Sequence, residues 1–406
     1  MEGGIQIAQL NRLLGASRYA LPTSGAGNGH RLAGCVATGT HGAAYQFGAV
    51  HDALRAVVLV VAPDRALFIQ PAQATCKPEL IQMLSAAVGM QLVDVRDDMQ
   101  FEATRVSLGA LGFVFGYLLE AVPLYQLRRR IRHFEQSDGT LATAMVQTEP
   151  KLLFPEEPTA PYHFEVVLDP YGSLDSKTAY VVAHWKEPVG ADVPFQTPNP
   201  VPPDMASDHL GLIGKLMQHI PSPIDGLVAK KVIYSQIRSR YPEGGRASRF
   251  PGQVFGPTGL PRRKGTSTEI VVNATDVLRA LGAVRHVLRD LDKDGVYLLG
   301  AIAIRFVKGS SALLGMNITD VNAYIELPSI RNEDVEEIVF PRCFDRLRDE
   351  QIRFTCHWGQ VHDLQRPDLL RYFGRRVGDW SAVRRQLLTQ SGLVTFTNPT
   401  VRELGL

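Results

Sequence analysis

The sequence has little cysteine. Four residues in 406, Cys35, Cys76, Cys343 and Cys356, form no CxxC pair and no dense framework. They read as reduced thiols, which argues against a disulfide scaffold and places the chain in a reducing compartment such as the cytoplasm. Excess charge is missing too. Lys+Arg 43 against Asp+Glu 41 leaves a formal +2, so nothing in the composition pulls toward nucleic acid or an anionic membrane surface. No apolar run is long enough to span a bilayer, and no membrane span is expected. The opening segment MEGGIQIAQLNRLLG has no basic region followed by a solid apolar stretch, so it does not read as a signal peptide. There is no Walker loop, no G-x-S-x-G elbow and no H-E-x-x-H. Those absences remove phosphate-loop, nucleophile-elbow hydrolase and zincin chemistry.

What is present is the make-up of a globular protein of two or three domains, 45% hydrophobic and 21% charged. Ile5 and Ile7, then Leu10, Leu13 and Leu14, predict a strand running into a helix. Residues 57–61 and 66–69 predict a hairpin across Ala62-Pro63-Asp64-Arg65. Pro78 opens a helix with Leu80, Met83, Leu84 and Val88 on one face. A helix over 101–108 is stopped by Gly109 and Gly112, and a strand over 113–121 ends at Pro123. Two stretches, 188–203 with six prolines and 243–264 rich in Gly, Pro and Arg, read as surface loops.

Further on the pattern becomes regular. A strand over 269–272 precedes a helix that Thr275 can cap, carrying Val277, Leu278, Leu281, Val284, Val287, Leu288 and Leu291 at helical spacing. Strands over 296–307 and 321–327 follow, then a helix with Val335, Ile338, Val339, Phe344 and Leu347, and a last strand over 352–356. This βαββαβ order is that of a ferredoxin-like unit, an antiparallel sheet with helices on one face. The expected fold class is therefore α+β.

Several candidate sites are weak on their own residues. GAGNG, 25–29, follows Pro22-Thr23-Ser24 rather than a strand and opens no helix, so it reads as a turn. Arg128-Arg129-Arg130-Ile131-Arg132 reads as the solvated face of a strand before it reads as a phosphate contact. His357 and His362 have no third ligand at sensible spacing, and no metal site is expected. CVATGTHGAA, 35–44, is different: a run of small residues with no helical period, two threonines and His41. Amides bared by its glycines can bond an anionic or carbonyl-rich ligand, and missing side chains admit a flat ring. These residues alone leave a ligand contact and a plain turn both open.

Residues 33–42, Ala33-Gly34-Cys35-Val36-Ala37-Thr38-Gly39-Thr40-His41-Gly42, closely resemble the GAxATGTHG loop of FAD-linked oxidases of the vanillyl-alcohol oxidase type, in particular the aldonolactone and alditol oxidase branch. Residues 103–112, ATRVSLGALG, resemble that family's A-R-x-S-L-G-A-L-G segment. His357-Trp358-Gly359-Gln360 resembles its HWGK, and Ile304-Arg305 its E-I-R substrate strand. The resemblance implies a partial PCMH-type FAD-binding domain over 1–125, a connecting segment over 126–160, a ferredoxin-like substrate or cap domain over 161–356, and a C-terminal segment, 357–406, packing back near the flavin. It implies an enzyme that moves a hydride from the CH–OH group of an alcohol or sugar lactone to FAD, with oxygen or another acceptor taking the electrons. Thr38, Gly39, Thr40, His41 and Gly42 would line the FAD, with Ser107, Gly109 and Gly112 on its adenosine or pyrophosphate side. Arg305, His357, Gln360 and Glu326 would form the catalytic set.

The departures from the family pattern carry expectations of their own. The family's first flavin subdomain, with its phosphate-cradling loop and linking histidine, would precede residue 3; it is expected to be missing and the FAD to be held non-covalently, since His41 is not that histidine. The acid of E-I-R is Ala303, the lysine of HWGK is Gln360, and the serine often following THG is Ala43. Each unmade polar contact costs about 1–3 kcal/mol, which points to a less polar donor or an impaired copy. Glu326, Tyr324 and Glu165 are the candidate replacements. The rival expectation is a non-catalytic homologue that no longer holds FAD; another is that a second chain supplies the missing subdomain.

Overall fold

The computed structural model describes all residues except 26, 75, 173–177, 197–225, 255–264 and 331–333. Parts of the two expected loops, 197–203 and 255–264, and Ala26 of the GAGNG turn thus lie outside the described residues. The chain first lays down β1 (Tyr19–Ala20), β2 (Leu54–Ala62), β3 (Arg65–Gln70), β4 (Leu92–Arg96), β5 (Phe113–Leu119) and β6 (Val122–Pro123). The predicted hairpin is there: β2 and β3 pair antiparallel with Val57 opposite Ile69. Because side chains alternate along a strand, Val57, Leu59, Leu67 and Ile69 face the main core, while Ala56, Val58, Ala66 and Phe68 face the helix Pro78–Val88. That helix crosses over to β4, which is parallel to β3, and the sheet order is β4-β3-β2-β5. Its packed face is Ile81, Leu84 and Val88; Met83, expected there, is turned to solvent. The expected strand at Ile5 does not form either. Residues 1–3 run beside β5, with the Gly3 amide bonding Phe115 O at 2.9 Å, and the helix Ile7–Ala16 starts at once.

The remaining strands are β7 (Tyr125–Phe134), β8 (His163–Leu168), β9 (Ala179–Pro188), β10 (Gly244–Arg249), β11 (Gly265–Asn273), β12 (Ile302–Lys308), β13 (Val321–Ile330) and β14 (Thr355–Cys356). They form one eight-stranded sheet, ordered β10-β7-β9-β8-β12-β13-β11-β14, with antiparallel neighbours throughout. The βαββαβ unit read from the sequence is its second half: β11, helix Val277–Lys293, β12, β13, helix Phe340–Asp349 preceded by a π-helical turn Val335–Val339, and β14. β12 and β14 are shorter than expected, since residues 296–301 stay outside the ladder and the last strand keeps only two residues, while β11 and β13 run longer than expected.

The first half of the sheet has the same strand order. β7, helix Gly139–Gln147, β8, β9, helix Gly226–Arg240 and β10 make a second βαββαβ unit, joined to the first at the β8–β12 pair. Residues 126–160, expected to be a connecting segment, carry β7 and the first helix of this unit, and their arginine-rich start is β7 itself. The expected solvated arginine face does not form: Arg128, Arg130 and Arg132 lie half-buried on the face that also carries Val181, Ala183 and Trp185, while Arg129 alternates to the other face. Arg128 pairs with Glu157 at 2.7 Å and Glu187 at 2.9 Å, and Arg130 with Glu156 at 2.8 Å.

One face of the large sheet carries Phe164, Val166, Ile302, Ile304, Phe306 and Ile270, buried in the main core with Val277, Leu281, Val284 and Leu288 of the long helix. The opposite face carries Glu165, Arg305, Tyr324, Glu326 and Glu269. Register places Arg305 between Glu165 and Tyr324, and Glu326 between Ala303 and Glu269. The C-terminal helices return to the small-sheet side: Trp380 donates to Val106 O at 3.2 Å and Arg384 to Ala110 O at 3.0 Å. No helix among the described residues is long and apolar enough to cross a membrane.

Candidate active site

The site grows from the end of a short helix. Residues 35–37, read as loop, close the helix Leu32–Ala37. Gly39 then takes a left-handed φ of +75°. Its amide bonds Val36 O at 3.1 Å and the Thr40 amide bonds Cys35 O at 2.8 Å, the paired bonds of a Schellman cap. Thr38 N and Oγ1 both donate to Gly34 O, at 3.1 and 2.9 Å. The amides of Thr38, Gly39 and Thr40 are thus spent inside the loop rather than bared for a ligand. Gly42 has a different cause: a Cβ there would stand 2.5 Å from Ser24 O, so the 22–25 turn packs on its backbone. What stays open is Gly34, exposed with nothing near a would-be Cβ, and the half-buried Thr38.

The 103–112 block lies against this loop, with the Leu108 amide donating to Ala37 O at 3.1 Å. Leu108 and Gly109 both have positive φ, and Gly109 is exposed with free space beside it. Gly112 is structural: at φ +134°, a Cβ would meet Val60 O at 2.8 Å. Ser107 is buried under Gly109, and Asn398 of the returning tail holds Leu108 O at 2.7 Å. Arg105, the last residue of helix Asp98–Arg105, pairs with Asp52 and Glu102 and donates to Ser311 Oγ at 2.9 Å.

Opposite the loop stands a half-buried charge cluster with Glu269 at its buried end. Arg305 donates to Glu326 at 2.6 Å, lies 3.0 Å from Glu165 and reaches Glu269 at 3.5 Å. Burial opposes its charge, but Glu326, Glu165 and Glu269 more than restore it and the guanidinium stays protonated. Glu326 titrates high, because burial and the like charges of Glu269 and Glu165 outweigh Arg305. Glu269 moves the other way. Burial opposes its ionisation, yet His41, His357 and Arg305 hold the carboxyl well below the usual range. His41 uses both ring nitrogens, Nδ1 at 2.9 Å from Gly42 O and Nε2 at 3.0 Å from Glu269, and its ring lies 3.9 Å from that of Tyr324.

His357 joins this cluster from the end of β14. Its amide donates to Glu269 O at 3.0 Å, and its Nδ1 accepts the Gly359 N–H at 3.0 Å. Burial pushes its pKa down to about 4, so the ring is neutral near pH 7. His362, the histidine paired with it in the sequence, instead packs edge-on to Trp358. The donor atoms of His41, Glu269 and His357 lie within 4.8 Å of one another, but both His41 nitrogens and His357 Nδ1 are already hydrogen-bonded within the protein. Gln360 Oε1 and Tyr324 Oη are buried without a hydrogen-bond partner among the described residues. Arg305, Glu326, His41 and His357, four of the expected site residues, are thus close together in the structure. Ser107 and Gly112 sit behind the loop surface. Glu269 was missed; a lone carboxylate in the buried strand EIVVN was the signal available.

No protein-family profile matches the chain. D-arabinono-1,4-lactone oxidase of Yarrowia lipolytica is 28% identical over 127 residues, 31% of this chain and 20% of its own length. L-gulonolactone oxidase of Scyliorhinus torazame is 28% identical over 144 residues, 36% of this chain and 26% of its own. The matched stretches thus span a minor part of these relatives. A solved cholesterol oxidase from Brevibacterium sterolicum superposes with a TM-score of 0.67 at 11% identity, over 99% of this chain and 80% of its own. The chain thus has the fold of the solved cholesterol oxidase, and over about a third of its length it is similar in sequence to D-arabinono-1,4-lactone oxidase and L-gulonolactone oxidase.

Proposed function

We propose that the chain forms the flavin-facing and substrate-facing parts of an FAD-dependent oxidoreductase acting on the CH–OH group of a small alcohol or lactone. The observation that carries this reading is the joining of three blocks distant in sequence, 37–42, 105–112 and 357–360: Leu108 bonds Ala37, and His41 and His357 both bond Glu269 beside the half-buried guanidinium of Arg305. A flat anionic cofactor fits the residues present. Gly34 and Gly109 are exposed with open space where a side chain would stand, Thr38 lies half-buried one turn on from Gly34, and among the described residues Gln360 Oε1 and Tyr324 Oη have no hydrogen-bond partner. When bound, the flavin supplies the two-electron chemistry, taking a hydride from the donor carbon and passing electrons to oxygen or another acceptor. Both His41 nitrogens are engaged, which supports non-covalent binding.

The protein's own part is charge and proton placement. Arg305 polarises the substrate oxygen and stabilises negative charge developing there. Glu326, the carboxylate that titrates high, takes the hydroxyl proton once ionised. It stands directly across the strand pair from Ala303, where the E-I-R strand would carry its acid. His357 stays neutral beside them, and the buried sheet face limits water. A non-catalytic homologue is the second reading, favoured by the three carboxylates that already engage Arg305.

The visible spectrum of the purified protein with added FAD tests the reading. A bound flavin that bleaches anaerobically with an alcohol or lactone supports the enzyme; bound flavin that no such donor bleaches supports the second reading; failure to take up FAD removes both flavin roles. Arg305→Ala is expected to slow flavin reduction by about 10²–10³-fold while retaining FAD. Equal loss of both would make Arg305 a structural residue.

A further inference from the structure

We propose that Glu269 is the positioning residue of this site, one carboxylate oxygen fixing His41 of the loop and the other fixing the Arg305 guanidinium, so that a single side chain sets loop and sheet in one frame. The consequence for flavin reduction rests on the FAD reading above; the geometric claim does not.

Glu269 Oε2 stands 3.0 Å from His41 Nε2, and Oε1 stands 3.5 Å from Arg305. Its own carbonyl receives the His357 amide at 3.0 Å. The strand β11 therefore ties the 37–42 loop, β12 and the 357–360 segment through one residue. Glu165 and Glu326 do not share this role. Both keep about a fifth of the side chain exposed, at 21% and 18%, and among the described residues their ion pairs are with Arg305, whereas the Glu269 side chain is 2% exposed. The groups facing Glu269 are His41 from the loop, Arg305 from β12, Glu326 and Tyr324 from β13 and His357 from β14. Two carboxylates on one guanidinium are pushed apart in titration, Glu269 down and Glu326 up. Environments that separate paired acids in this way divide their tasks: Glu269 keeps its charge and holds geometry, and Glu326 carries the proton. None of the sequence blocks similar to known oxidases contains residue 269, and no role for it follows from them.

Glu269→Gln preserves size and removes the charge; Glu269→Asp keeps the charge and shortens the reach. The flavin-independent readout is the ¹⁵N–¹H signal of Arg305 Nε, assigned by its loss in Arg305→Lys. In the wild-type protein it is expected to be a single slowly exchanging signal. In Glu269→Gln it should shift and exchange at least tenfold faster, while in Glu326→Gln it should persist. An Arg305 signal unchanged in Glu269→Gln overturns the proposal, whether or not flavin binds. In FAD-loaded protein, Glu269→Gln should retain the flavin, lower its limiting reduction rate by at least tenfold, and leave the pH profile in place. Glu326→Gln should abolish that profile. A reduction rate within threefold of wild type overturns Glu269 as positioner. If Glu269→Gln does not fold, Glu269→Asp decides: a slowed rate or a faster-exchanging Arg305 signal supports the proposal, and wild-type values of both refute it. Failure of the wild type to bind FAD refutes the oxidase reading, and the arginine signal then decides the role of Glu269 by itself.

Discussion

Single glycines separate structure from recognition in the 33–42 loop. Gly42 is needed because Ser24 O and Thr23 Oγ1 occupy the space of a side chain, both within 2.6 Å of a would-be Cβ. Gly42→Ala should cost about 1–3 kcal/mol in urea unfolding, as overpacking does. Gly34 is the contrast. It sits inside a helix with nothing near its would-be Cβ, so Gly34→Ala should stabilise the protein by about 0.5–1 kcal/mol. If Gly34 borders the flavin, the same change should weaken FAD binding in an equilibrium titration. Unchanged FAD affinity would move the cofactor away from this wall. Gly39 was legible as special in the sequence, but its reason was not. The Schellman cap depends on a helix that six small residues barely announce.

At the scale of elements, the small sheet is fastened to the large one through the end of helix Asp98–Arg105. Arg105 is buried and meets Asp52, Glu102, Ser311 Oγ and the carbonyl of His51. Removing one partner of a buried ion pair leaves the other uncompensated. Arg105→Ala should therefore destabilise the protein by about 3–5 kcal/mol, read as a lower urea midpoint. Arg105→Lys should recover only part, since an ammonium lacks the guanidinium fork; full recovery would show that charge alone is needed. Helix Asp98–Arg105 was read from the sequence to within three residues at each end, and the β2–β3 hairpin to within three. The first βαββαβ unit was not. Its opening strand YQLRRRIRHF shows charge before it shows alternation, and in the helix Gly226–Arg240 the apolar residues of GLVAKKVIYSQIRSR keep no clean helical period.

For the whole molecule, buried histidines set the response to acid. Burial lowers His51 and His357 to about 4 and His184 to about 3, each against an ordinary value of 6.5. These rings take protons in the unfolded chain first. Their contribution is whole above pH 6.5 and is lost as pH falls from there toward 4, up to roughly 3 kcal/mol for each ring. Glu269, held low instead, contributes stability that is whole above the usual carboxylate range and is lost progressively as pH falls through that range toward its lowered value. The melting temperature should thus be level above pH 7 and fall steeply between about 6.5 and 4. A level curve down to pH 4 would mean that these imidazoles are not buried neutral.

The sequence by itself determined the α+β class, the hairpin, the second βαββαβ unit and the blocks that meet at Arg305, because alternation, helical spacing and short motifs are local properties of the chain. It also marked Glu326 and His357. Only the tertiary structure decided that the large sheet is a joined pair of such units, since β8 and β12, its central pair, are separated by more than a hundred residues. It likewise decided that Glu269 links His41 to Arg305 across 228 and 36 residues of chain. Such a bridge has no local signature, because each partner is defined by register and burial that exist only once the strands have paired.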